Sequence, residues 1–220
     1  MISAIVFDFD GVLADSEPLH LAATQEALAS LGATLTREEY YADYLGYDDE
    51  GMFRALSDAR GWKLTHADVR TLVAEKATAL DGILSTTDVL YAGTAGCVER
   101  LAAEWPLGIA SGALRHEIEG VLRRGGIDRY FAFIVGAGDT LASKPAPDPY
   151  RLAAELHGVA PDACVAVEDS RFGIESAKTA GLWCIGITHT YPTSELLDAD
   201  SIITSLSELT PQLIRSLKNG

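Results

Sequence analysis

The chain has 220 residues, 48% of them hydrophobic and 22% charged, with a formal net charge of −15. That composition suits one sizeable core, or a core domain with a smaller companion, and excludes a disordered chain. So acidic a surface repels nucleic acid and anionic membrane, and neither is an expected partner; a small anionic substrate needs a local cation to gather it.

Taken in chain order, the first element is a strand, "SAIVFDF" (3–9). Its apolar run ends in Asp8 and Asp10, two like charges one residue apart, followed by Gly11. Residues 16–80 then read as helical throughout, in the stretches "EPLHLAATQEALASLG", "REEYYADYLG", "DEGMFRALSDARG" and "HADVRTLVAEKATAL". The polar stretch "DGILSTTD" (81–88) is expected to return the chain to the sheet. Four more strands follow: "LGIAS" (107–111), "FAFIV" (131–135), "CVAVE" (164–168) and "LWCIGI" (182–187). None alternates cleanly between polar and apolar, as suits strands covered on both faces. Between them, "DPYRLAAELHGV" places Leu152, Leu156 and Val159 at helical spacing with Gly158 as a stop. "SRFGIESAKTAGL" opens on Ser170 as N-cap and ends near Gly181. The expected fold class is α/β: a Rossmann-like, mostly parallel sheet over 1–15 and 81–220, with an inserted helical cap over 16–80. Such a cap has the position of a lid.

Cys97, Cys164 and Cys184 lie far apart with no Cys-x-x-Cys pair, and read as small core residues. The opening "MISAIVFDFDG" has no basic segment leading a long apolar one, and no run approaches about 18 apolar residues. A reducing compartment, most simply the cytoplasm, and a monomer are expected.

In open α/β sheets, ligands bind beyond the carboxyl ends of the strands. There the first strand carries Asp8 and Asp10, the second Ser111 and Gly112, and the fourth Glu168 and Asp169, while the third leads to Lys144 in "SKPAPDP". Converging carboxylates repel unless a cation sits among them, and Mg²⁺ prefers such oxygen ligands. One carboxylate can attack phosphorus while a second, two residues on, carries the proton. Ser111, the Gly112 N–H and the Lys144 ammonium can hold the charged oxygens.

These four motifs, "DFDGV", "ASG", "KPAPDP" and "VEDS", resemble in order those of the haloacid dehalogenase superfamily. Further, "DGVLADSEPLH", "SKPAPDPY" and "EDSRFGIESAKTAG" resemble its β-phosphoglucomutase-like phosphatases, whose lid follows the first motif. The resemblance spans essentially the whole chain. It implies that Asp8 is the nucleophile and a metal ligand. Asp10 is then the general acid/base, with its backbone carbonyl on the metal. Ser111 and Gly112 become the phosphate-binding turn and Lys144 the neutralising lysine. Asp169 would be a direct Mg²⁺ ligand and Glu168 a direct or water-mediated one. His20 and Lys76 would occupy lid positions near the catalytic acid or the substrate.

Plainer roles stand beside these. Ser111 also reads as an N-cap for "ALRHEIEGVL", and His189 and Tyr191 as surface residues. A dehalogenase expels halide and needs no acid at Asp10, so phosphate ester chemistry is expected. An idle binding protein should lack a catalytic group, and none is missing. A sugar phosphomutase is the alternative, but its lid must grip a second phosphate. Here "LGYDDEGMF" puts Asp48, Asp49 and Glu50 where a cation is wanted, with Arg54 about a turn away. The expectation is a Mg²⁺-dependent phosphatase acting on a small phosphorylated metabolite such as a sugar or polyol phosphate.

Overall fold

The computed structural model describes residues 1–45 and 47–217. The chain divides into two compact units, Ser16–Thr87 and Met1–Asp15 with Asp88–Gly220.

The first unit is helical: α1 (Glu17–Ala29), α2 (Arg37–Glu39) running into a π-helical turn (Tyr40–Tyr44), α3 (Asp49–Arg60) and α4 (His66–Leu84). Its helices start where side chains satisfy the free N–H groups of the first turn. Thr36 with Glu39, and Thr65 with Asp68, form reciprocal capping boxes. The Asp48 carboxylate accepts from Gly51 N at 2.7 Å and so opens α3. Leu21, Leu28, Tyr40, Phe53, Leu56 and Leu72 form its core. The return to the sheet expected at residue 81 falls later, because α4 runs on to Leu84. Leu80 and Leu84, one turn apart, are both buried and extend the apolar stripe, while Asp81 and Gly82 face solvent. Gly46, in the expected lid loop, lies outside the described residues.

The second unit holds a six-stranded, wholly parallel sheet: β1 (Ala4–Phe7), β2 (Leu107–Ala110), β3 (Phe131–Val135), β4 (Cys164–Glu168), β5 (Trp183–Ile187) and β6 (Ser201–Ile203). The helices here are α5 (Thr94–Ala102), α6 (Arg115–Arg124), α7 (Asp148–His157), α8 (Arg171–Ala180) and α9 (Pro211–Ser216). Five strands match the sequence reading. β6 is the addition: three residues between polar flanks carry too little periodicity to be read. The strand order is β3-β2-β1-β4-β5-β6. The chain therefore winds outward from β1 on one side and returns to start again at β4 on the other. That reversal leaves a crevice beyond the carboxyl ends of β1 and β4.

Register then decides what meets there. β1 pairs with β4 so that Ala4, Val6 and Phe7 lie opposite Cys164, Ala166 and Val167. Side chains alternate faces along a strand. Asp8 thus follows Ala4 and Val6, and Glu168 follows Cys164 and Ala166, onto one face at one level. Tyr150, Ala153 and Ala154 of α7, with Ile174 and Ala177 of α8, cover that face. The fully buried stripe of α7 is therefore Tyr150–Ala153–Ala154; Leu152 and Val159 pack partly buried against the same core, and Leu156 is 52% exposed. Small residues on the strands leave room for one large ring, which Tyr150 supplies. Gly158 and Gly181 end α7 and α8 as expected, at φ 69° and 93°. All three cysteines are buried and free. Among the described residues no helix is long and apolar enough to cross a membrane.

Candidate active site

β1 stops at Phe7, and the next seven residues fold into a tight loop. Phe9 O accepts from Leu13 N and Ala14 N, and Gly11 N donates to Ala14 O at 2.8 Å. Gly11 sits at φ 72°, and a Cβ there would come within 1.8 Å of Asp169 Oδ2. Only glycine lets the loop lie against that carboxylate. The loop's far end pairs with the returning chain through Asp15 N to Val89 O and Tyr91 N to Leu13 O.

Asp8, Glu168 and Asp169 are all buried, each with a carboxylate oxygen within 4.8 Å of the others. Lys144 Nζ lies 3.0 Å from Asp8 Oδ1 and 2.6 Å from Glu168 Oε1. Glu168, at 0% exposure, has both oxygens engaged. Oε1 also accepts from Tyr150 Oη at 2.6 Å, and Oε2 from Ser170 Oγ at 3.2 Å. Ser170 in turn accepts from Gly173 N and opens α8, the N-cap expected of it. Phe9 N donates to Asp8 Oδ1 at 2.7 Å.

Three carboxylates against one ammonium leave two negative charges uncompensated in a buried place. Burial, with Glu168 and Asp10 nearby, raises the Asp8 carboxyl to about 7 despite the opposing pull of Lys144. Burial first, then Glu168 and Asp8, lift Asp169 well above the carboxylate range. For Lys144, burial works against the charge, but Asp8 and Glu168 together outweigh it and raise its pKa. A divalent cation would supply the missing two charges. The donor set is all hard oxygen, which fits Mg²⁺.

The half-buried Asp10 lies outside this group of three, although its charge acts on Asp8. Ser111 is buried just past β2, and its Oγ accepts from Ala113 N at 3.1 Å. It does not cap α6, which starts four residues later with Leu114 as N-cap, because Ser111 is spent on the turn that leads there. Gly112 is exposed in the same turn. His20 and Lys76 lie in the helical unit. His20 is half-buried on α1, and Lys76, only 3% exposed at its side chain, is paired with Asp49.

Two features go beyond the sequence reading. Tyr150 reads in the sequence as one more helix residue. Its only signal is an aromatic one helical turn before an Ala-Ala pair on the face toward the sheet. His189 and Tyr191 are not plain surface residues: both are partly covered, and Tyr191 packs against the core. His189 Nδ1 lies 3.0 Å from Gly11 O, and the ring stacks on Tyr91 with centroids 4.0 Å apart. The neighbouring Thr190 hydroxyl donates to Asp169. The loop after β5 thus braces both the Asp8–Ala14 loop and Asp169.

A haloacid dehalogenase-like hydrolase family model matches residues 5–187. The phosphoglycolate phosphatase of Escherichia coli (strain K12) is 31% identical over 96% of this chain and 92% of its own length. A crystal structure of a mutant CbbY from Rhodobacter sphaeroides, in complex with xylulose-(1,5)bisphosphate, superposes with a TM-score of 0.80 at 28% identity. It covers 94% of this chain and 96% of that one. β-Phosphoglucomutase from Clostridium difficile shares the fold, with a TM-score of 0.82 at 22% identity, over 100% of this chain and 98% of that one. The chain belongs to the haloacid dehalogenase-like hydrolases and is a phosphoric monoester hydrolase.

Proposed function

We propose that the protein is a Mg²⁺-dependent phosphatase of a small phosphorylated metabolite, working through an aspartyl phosphate on Asp8. The observation that carries this reading is the buried set of Asp8, Glu168 and Asp169 around Lys144 at the sheet's switch point. In the proposal Asp8, Asp169 and the Asp10 carbonyl hold the cation. Glu168, whose oxygens already accept from Lys144, Tyr150 and Ser170, contributes through water. When bound, Mg²⁺ neutralises the carboxylates and the phosphoryl oxygens.

The chain's own groups then divide the work. An Asp8 carboxylate oxygen attacks phosphorus, the P–O bond to the leaving group breaks, and Asp10 gives its proton to the departing oxygen. Ser111, the Gly112 N–H and Lys144 hold the equatorial oxygens. Water then attacks phosphorus and yields its proton to Asp10. The bond to Asp8 breaks, and phosphate leaves. His20 and Lys76 are assigned to recognition of the leaving group and to no chemical step.

Hydrolysis is favoured over a mutase because the helical unit's cations nearest the Asp48–Glu50 stretch are already met. Lys76 pairs with Asp49, and Arg54 pairs with Glu50 and meets His66 Nδ1. Neither is kept for a second phosphate. Three free, buried thiols suit a reducing compartment, and the cytoplasm is the proposed location.

The test is phosphate release from a panel of esters, with Mg²⁺ and with chelator. Hexose, pentose and polyol phosphates, phosphoglycolate and β-glucose 1-phosphate belong in it. The proposal expects one preferred monoester, cleaved only with Mg²⁺. Isomerisation of β-glucose 1-phosphate to the 6-phosphate with little free phosphate would overturn it in favour of a mutase.

A further inference from the structure

Resting on the phosphatase reading above, we propose that Tyr150 is a positioning residue for phosphoryl transfer. Its buried hydroxyl holds the Glu168 carboxylate so that Lys144 keeps its place on Asp8.

Lys144 is a point charge on a flexible four-carbon stem. It stands between two acids, and the shorter contact is to the one that does not react: 2.6 Å to Glu168 Oε1 against 3.0 Å to Asp8 Oδ1. A Glu168 with no other donor would draw the ammonium further from Asp8. Tyr150 limits this in two ways. Its hydroxyl donates to the same Oε1 at 2.6 Å, so that the oxygen divides its charge between two donors. Its ring face lies 5.1 Å from Nζ and supports the ammonium from the core side. Ser170 holds the other oxygen, so the carboxylate is fixed at both ends.

Packing alone does not ask for this hydroxyl. Tyr150 has 0% exposure, and its surroundings include Ala4, Val6, Ala153, Ala154 and Ala166, where a phenyl ring would fit equally well. A buried hydroxyl is costly unless it is bonded, and among the described residues this one donates to Glu168.

The decisive variant is Tyr150→Phe, which removes one oxygen and keeps the ring. Its kcat should fall about tenfold or more, with KM moving less than about threefold. Mg²⁺ binding without substrate, read by calorimetry, should also stay within about threefold, because the cation's proposed direct ligands are untouched. Orthovanadate, a mimic of the transferring phosphoryl group, should bind more weakly in step with kcat. In a Glu168→Gln background the same change should shift vanadate affinity by less than about twofold. Unaltered kcat and vanadate binding, or an equal vanadate loss in both backgrounds, would overturn the proposal. So would a loss traced wholly to weaker Mg²⁺ binding. A wild type that binds vanadate but cleaves no ester overturns the phosphatase reading instead, and the vanadate comparison still decides for Tyr150.

Discussion

Two regions of this protein bring lysine and carboxylates together in buried or half-buried places, and they differ in arithmetic. In the helical unit, Lys76 is buried against Asp49, a carboxylate 38% exposed at its side chain, and Glu50 beside it has its own partner in Arg54. Asp48 is spent on capping α3. In the sheet unit, Lys144 faces two acids at once, with Asp169 a third close by. The first arrangement is balanced and the second is not. Acid density in a sequence is a poor guide to a site; buried charge that the chain leaves uncompensated is a better one.

The largest effect expected from breaking that imbalance is at Asp8. Asp8→Asn should lower phosphate release at least about a thousandfold, since an amide is no nucleophile here. The same variant should unfold at a higher temperature than the metal-free wild type, because one of three repelling carboxylates is gone. Activity and thermal unfolding of one preparation check both. Next is the contrast between the lysines. Lys144→Met should cost about a hundredfold or more in kcat, whereas Lys76→Met should leave kcat within about threefold and act on KM. Removing Lys76 leaves Asp49 within reach of water, so the charge is not stranded.

A smaller effect is the pH dependence of the metal-free protein. Asp8 carries a folded-state pKa of about 7 against an ordinary value of 3.8. Between those values the folded state keeps a proton that the unfolded chain has released. Stability therefore falls as pH rises through this window and stays low above it. The rise in melting temperature on adding Mg²⁺ should accordingly be larger at pH 8 than at pH 5. An equal rise at both would mean that the carboxylates are not strained without the cation. The smallest effect expected is at His189. His189→Ala removes a brace on the Gly11 carbonyl rather than a reacting group, and should lower kcat by less than about tenfold.

Much of this was legible in the sequence because the groups of the candidate site follow strand ends. Asp8, Ser111 and Glu168 sit one step past apolar runs, and period-two alternation with parallel register makes neighbours of residues far apart in the chain. The supports were not legible, since they depend on which side of a helix meets the sheet. Leu152, Leu156 and Val159 stand at helical spacing, and of these Leu152 and Val159 pack partly buried against the core. The sheet's small residues admit Tyr150, and Leu156 is left in solvent. His189 and Thr190 lie in a loop with no periodicity to read, and they are placed by the glycine at position 11. At the acids of 48–50 the sequence shows the charge but not its partner, Lys76, which lies 27 residues on from Asp49.

The most direct test of the account is to trap the intermediate. The enzyme is mixed with its preferred ester and Mg²⁺, quenched within a turnover and reduced with borohydride, which converts an aspartyl phosphate to homoserine. Peptide mapping then locates the product. The account predicts homoserine at position 8 and none at position 10. Reduction at Asp10, or phosphate release at full rate with Asp8 unmodified throughout, would contradict it.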